Sequence, residues 1–299
     1  MNSRAPKVTI IIPHYNQKEC LQRLLPSVDR QTLKDFEVMI IDDRTPDEDT
    51  INFVQDFVKD RPNMHLLQNS ENMRFIRTCN KGIQLAKGEY ICLLNSDTEI
   101  TANFVESNVR IMDSDTTIGG LSCVIVDKYG KNWFSGGLYK NGTPVNLTDD
   151  FRAVRSVDFV AGTAAFYRRD IFDTIGLFDE RYIMYHEDVE FGLRISAKTG
   201  YRLCMFPDKL VTHFVVPSIP NPEMFYYLNR NSVLLSTEYE PKSLPRLILR
   251  LLLHSVGVPL LLAAKDMVLL RPSASWRMMR CSLSAMRGSL DGLIARRGP

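Results

Sequence analysis

Four short apolar runs, Val8 to Pro13, Phe36 to Ile41, Met64 to Leu67 and Tyr90 to Leu94, are separated by segments with the spacing of amphipathic helices. Leu21, Leu24, Leu25 and Val28 stand at i, i+3, i+4 and i+7, and Ile51, Val54 and Val58 repeat the pattern behind Asp47 or Asp49 as a cap; a third helix is expected over about Met73 to Lys87. Strands apolar on both faces, alternating with such helices, predict an α/β fold: a Rossmann-like, mostly parallel sheet flanked by helices, with right-handed crossovers. Beyond Gly119 the pattern turns mixed. It predicts strands at Leu121 to Val126 and Val157 to Tyr167 around a hairpin of about Lys128 to Thr143, and strand-like stretches at Tyr201 to Phe206 and Leu210 to Thr212.

Ligands on parallel sheets bind beyond the carboxyl ends of the strands, so the residues there are the informative ones. They are Pro13-His14-Tyr15-Asn16, Asp42-Asp43 and Asn95-Ser96-Asp97. A carboxylate at Asp42 or Asp43 can accept from a ribose hydroxyl or a base N–H, or can cap its own loop. Asp97 is placed for a hard divalent cation, or for capping a helix expected from Thr101. The most distinctive segment is GLFDERYIMYHEDVEFGLR, Gly176 to Arg194, in which Glu187 and Asp188 open a helix. Either Asp188 caps that helix with Glu187 solvated, or one of the two carboxylates takes a proton from an attacking hydroxyl. His213 reads as a core histidine or a ligand, and Arg230 as a phosphate partner or a surface ion pair. Neither GxGxxG nor GxxxxGK[ST] occurs, which excludes a dinucleotide fingerprint and a P-loop; a nucleotidyltransferase should carry a Gly-rich loop where Pro13-His14-Tyr15 stands.

Charge divides the chain unevenly. From Arg246 to Pro299 there are nine Lys/Arg against two Asp, a net of +7, while the whole chain carries +2. A mildly acidic body with a basic, apolar tail excludes nucleic acid as partner. Leu247 to Ala264 is the one membrane candidate, but Arg250, His254, Gly257 and Pro259 argue against spanning. Residues 246–299 therefore predict a helical extension that either lies on an anionic membrane face or packs as a helical hairpin. The six cysteines lie singly, without CxxC, and Met1 to Lys7 is polar and runs straight into a strand; a cytoplasmic protein is expected, and on the membrane reading of the tail one peripheral on the inner face of the cell membrane.

The blocks VTIIIPHYNQ, FEVMIIDDRTPDEDT, ENMRFIRTCNKGIQLAKGEYICLLNSDTEI, VAGTAAFYRRDIFDTIGLFDERYIMYHEDVEFGLR and GYRLCMFPDKLVTHF, in this order over about residues 7 to 215, resemble glycosyltransferase family 2, the inverting enzymes of the GT-A fold. They are similar to bacterial rhamnosyltransferase-like members that build surface polysaccharides. The resemblance implies a GT-A domain over 1–240, with a nucleotide-binding half (1–115) and an acceptor or catalytic half (116–240), before the extension at 241–299. It implies a UDP- or dTDP-sugar donor, a glycan or lipid-linked glycan acceptor, and Mn²⁺ or Mg²⁺ as cofactor. Pro13, Tyr15, Asn16, Asp42 and Asp43 would hold the nucleoside, and Asn80 would line the donor pocket. Asn95, Ser96 and Asp97 stand at the DxD-type motif, with Asp97 and His213 as metal ligands. Asp188 would be the base of the ED motif beside Glu187. Two departures stand out: Asn95 replaces the first carboxylate of the motif, and Arg74 replaces a usual glycine, adding positive charge near the phosphate path. Transfer to a polyprenyl phosphate, or a non-catalytic module that binds a sugar nucleotide or scaffolds a polysaccharide assembly, are the alternatives.

Overall fold

The structure, a computed structural model, describes residues 5–214, 222–252 and 272–295. The chain clusters into two units, one formed by 1–138, 146–181 and 187–215, the other by 139–145, 182–186 and 216–299.

The first unit is built on one mixed sheet. Its strands are β1 (Val8–His14), β2 (Phe36–Asp42), β3 (Met64–Gln68), β4 (Tyr90–Leu94), β5 (Thr98–Ile100), β6 (Ile118–Asp127), β7 (Asn132–Phe134), β10 (Arg155–Val157), β11 (Ala164–Arg168) and β12 (Arg202–His213). The hairpin β8 (Gly136–Lys140) and β9 (Thr143–Leu147) forms a separate two-stranded sheet. The main sheet runs β10-β12-β6-β11-β4-β1-β2-β3, with β5 added to β12 and β7 to β6. β3, β2, β1 and β4 are parallel, as the alternating pattern requires. β11 enters antiparallel between β4 and β6, which makes the second half mixed.

The parallel strands form because both their faces are covered: every residue of β1 is buried, and each such Ile contributes about 1.5–3 kcal/mol. α1 (Lys18–Asp29) buries Leu21, Leu24, Leu25 and Val28, and α2 (Glu48–Val58) starts at Asp47, whose carboxylate accepts from Thr50 N–H at 3.1 Å. α3 (Arg74–Leu85) comes so close to the sheet that a Cβ on Gly82 would stand 2.6 Å from Ile11 Cγ2 and 2.8 Å from Ile41 Cδ1. α4 (Phe104–Ser114), α5 (Arg169–Ile175) and α6 (Glu187–Lys198) complete this unit's helices.

Three expectations change. The helix expected from Thr101 starts at Phe104 behind Asn103, and β5 intervenes, so Asp97 is no helix cap. The strand expected over Val157 to Tyr167 is two strands joined by the loop 158–163, whose Phe159 and Val160 are as buried as strand residues, Phe159 pairing only in an isolated bridge with Gly137. The two stretches before His213 are one strand, β12, which bulges at Pro207 and Asp208.

In the second unit α7 (Pro222–Tyr239) packs on the final described helix, Pro272–Ile294. Contact is backbone-close: a Cβ on Gly288 would lie 2.2 Å from Tyr226 O, and the Tyr226 hydroxyl donates to Asp291 Oδ2 at 2.6 Å. α8 (Leu244–Leu252) belongs here too. The break expected at 240 thus falls inside this unit, which takes in α7. Most of the apolar segment Leu247 to Ala264 lies outside the described residues, and among those described no helix is long and apolar enough to cross a membrane.

Candidate functional site

The ends of β1, β2 and β3 are tied into one surface. Asp43 N–H donates to His14 O at 2.9 Å, Asn69 N–H to Asp42 O at 2.8 Å, and Asn16 N–H to Thr45 Oγ1 at 2.8 Å. Asn16 and Arg44 take the left-handed backbone that such sharp exits need, with φ of 53° and 67°. Pro13 is buried within β1 opposite Ile41, while Tyr15 is 47% exposed and presents its ring.

The two aspartates differ. Asp43 is buried and accepts four hydrogen bonds: from Asn69 Nδ2 (2.8 Å), Thr78 Oγ1 (2.9 Å) and Met73 N–H (2.7 Å) on Oδ1, and from Arg74 N–H (2.8 Å) on Oδ2. It therefore braces the start of α3, where an anion opposes the helix dipole favourably. Asp42 accepts from Thr45 N–H at 3.0 Å and, weakly, from Gln68 Nε2 at 3.4 Å. His14 Nε2 lies 3.8 Å from Asp42 Oδ1; burial holds the imidazole pKa below its ordinary value against the pull of Asp42 and Asp43. Arg74 has φ 66°, which explains physically why glycine suits this position. Asn80 is used internally: its amide donates to Phe178 O at 2.9 Å and accepts from Phe178 N–H at 3.1 Å, fixing the turn at 178.

Asp97 and His213 meet across the β5–β12 pair. His213 is the register partner of Thr98, and Phe214 N–H donates to Asp97 O at 2.9 Å, which brings His213 Nε2 to 3.1 Å from Asp97 Oδ2. Trp133 presents an edge-on ring to the imidazole, 4.4 Å between centroids. His213 Nδ1 and Asn95 Oδ1 are buried and find no hydrogen-bond partner among the described residues. Ser96 Oγ donates to Gln17 Oε1. One carboxylate and one imidazole suit a hard divalent cation that draws its remaining ligands from phosphate and water; among the described residues no cluster of three His, Cys, Asp or Glu side chains exists. The donor set fits a cation shared with a diphosphate, not a closed protein cage.

Asp188 is fixed beside this edge through the loop 158–163. Gly162 N–H donates to Asp188 Oδ2 at 3.1 Å, Val189 N–H to Asp188 Oδ1 at 2.8 Å, and Asn95 N–H to Thr163 O at 2.9 Å. The same loop thus holds the base candidate and the first residue of the Asn95-Ser96-Asp97 turn. Burial raises the Asp188 pKa, while the Gly162 and Val189 amides oppose the rise. Glu187 is not solvated: its Oε2 is sequestered without a partner among the described residues, and burial, then the adjacent Asp188 charge, pushes its pKa up to about 8.

The first unit therefore gathers Pro13, Tyr15, Asn16, Asp42, Asp43, Arg74, Asn95, Ser96, Asp97, Glu187, Asp188 and His213 at the carboxyl ends of its strands. Asn80 is engaged in a structural clamp on Phe178. Arg230 belongs to the second unit, where its Nη1 donates to Asn231 Oδ1 at 2.8 Å. Trp133, Gly162, Asn69 and Thr78 were not legible as site residues; each acts through a partner at least nine positions away in sequence.

The family model described as glycosyl transferase family 2 matches residues 9–176. An amylovoran biosynthesis glycosyltransferase of Erwinia amylovora is 24% identical over 215 residues, 70% of this chain and 69% of that protein. An O-antigen biosynthesis protein of Myxococcus xanthus is 24% identical over 225 residues, 70% of this chain but 17% of its own length. Among solved structures, GalNAc-T7 with UDP, GalNAc and Mn²⁺ superposes with a TM-score of 0.65 at 20% identity, covering 80% of this chain and 50% of that one. That likeness speaks to the fold, which is of the GT-A type: a mostly parallel sheet flanked by helices.

Proposed function

The chain belongs to glycosyl transferase family 2, and on that premise we propose that it moves a hexosyl or deoxyhexosyl group from a UDP- or dTDP-sugar to a hydroxyl of a glycan or lipid-linked glycan in cell-surface polysaccharide synthesis. The observation that carries the reading is the loop 158–163, which ties Asp188 to the edge holding Asp97 and His213. Asp188 accepts the proton of the acceptor hydroxyl while that oxygen bonds to the anomeric carbon; the bond from that carbon to the diphosphate oxygen breaks, and configuration inverts. Mn²⁺ or Mg²⁺ held by Asp97 and His213 would act as a Lewis acid on the departing diphosphate. The exits of β1 and β2 hold the nucleoside, with Tyr15 offering its ring, Asp42 an acceptor and Asp43 the bracing of α3. Residues 1–115 form the nucleotide-binding half and 116–240 the acceptor or catalytic half. A carboxylate base at Asp188 favours a hydroxyl acceptor over a polyprenyl phosphate, which is already anionic.

Nucleoside diphosphate release by the full chain, with Mn²⁺ or Mg²⁺ across UDP-, dTDP- and GDP-sugars, tests the reading. One preferred donor that requires metal is expected; absence of both release and calorimetric binding across the panel points to a non-catalytic module.

A specific observation also favours a peripheral site on the cytoplasmic face of the membrane. On the final helix Arg280, Leu283, Arg287, Leu290 and Ile294 share one exposed face, whereas Cys281, Ala285, Gly288, Ser289 and Gly292 are buried. A stripe of basic and apolar side chains at this spacing suits an anionic lipid surface.

A further inference from the structure

The segment that precedes Glu187 is strained. Ile183, Tyr185 and His186 have φ of 60°, 65° and 65°, and Met184 N–H donates to Tyr182 O at 2.5 Å, closing a turn of three residues around Ile183. A three-residue turn with positive φ at its centre is the rare, strained γ form, and a β-branched side chain there is a genuine outlier. Such a backbone persists only where its surroundings over-determine it.

Asn231 does this. It is fully buried on α7, and its Nδ2 lies 2.8 Å from Tyr182 O, 2.7 Å from Met184 O and 2.8 Å from Tyr185 O. Two amide protons thus serve three carbonyls of the strained segment, and Arg230 Nη1 donates to Asn231 Oδ1 at 2.8 Å, polarising the amide toward them. The chain continues without interruption from His186 into Glu187 and Asp188. We propose that Asn231 is a positioning residue for the reaction: it holds residues 182–186 in their left-handed path and so sets where the peptide delivers Asp188. The inference rests on the assignment of Asp188 as base.

Hydrogen exchange by mass spectrometry and steady-state kinetics on the full chain test it, with Asn231→Ala and the near-isosteric Asn231→Asp, which sets an anion against three carbonyls. In either variant exchange over 182–188 should rise while that of β1 and β4 stays unchanged. With the preferred donor, kcat should fall about 100-fold, as a displaced catalytic group demands, while UDP or dTDP affinity is kept. The proposal is overturned by unchanged exchange in the variants, by an opened segment with wild-type kcat, or by nucleotide affinity falling in step with kcat. A wild-type chain without transferase activity would instead remove the functional reading, and the exchange measurement would still report on the clamp.

Discussion

At the scale of single residues, the site uses charge and strain in places where the sequence shows only residue type. Arg74 holds φ 66° at the start of α3, with its N–H on Asp43. Left-handed backbone costs a non-glycine residue about 1–2 kcal/mol, and glycine's extra unfolded-state entropy returns about 0.5–1 of this. Arg74→Gly should therefore raise stability by up to about 1 kcal/mol in thermal melts. If its guanidinium also serves the diphosphate, donor affinity by calorimetry should fall in the same variant. Glu187 gives a pH prediction. Its pKa, raised from the ordinary 4.5 to about 8, means that the folded chain holds a proton the unfolded chain has lost between those two values. Its contribution is full below about pH 4.5 and is lost as pH rises through about 8. Wild-type melting temperature should fall across this window, and Glu187→Gln should flatten the fall; parallel curves for the two proteins would contradict the raised Glu187 pKa.

At the scale of elements, the parallel half was legible because β1, β2 and β4 are apolar on both faces and each is followed by its informative turn. The loop 158–163 was not, since Phe159, Val160 and Ala161 are buried in the manner of a strand while its backbone serves Asp188 and Asn95. The Asp97–His213 pair joins residues 116 positions apart through a three-residue strand too short to show a period. Helix faces pose the same problem: composition marked the tail as basic and apolar, but only packing against α7 decides which side is exposed. For the final helix the stripe predicts that the full chain sediments with phosphatidylglycerol-containing vesicles at low salt and not with phosphatidylcholine alone. Arg280→Glu with Arg287→Glu should abolish this, at about 1 kcal/mol for each Arg lost near the surface. Failure of the wild type to bind either vesicle would remove the membrane reading.

At the scale of the whole molecule, the chain contributes to the second unit in three passages, 139–145, 182–186 and 216–299, so its organisation is not a simple succession of domains. The charge contrast beginning at Arg246 points to the tail but not to this boundary, because α7 carries no excess of basic residues to distinguish it from the body. The passage 182–186 hands the chain to Glu187 and Asp188. Everything proposed for the reaction converges on the Asp188 carboxylate. The decisive measurement is donor binding and nucleoside diphosphate release compared between the wild type and Asp188→Asn, with metal and the preferred donor. The account predicts unchanged donor affinity with turnover reduced about 10²–10⁴-fold, the contribution of a general base. Near-wild-type turnover in Asp188→Asn would contradict it.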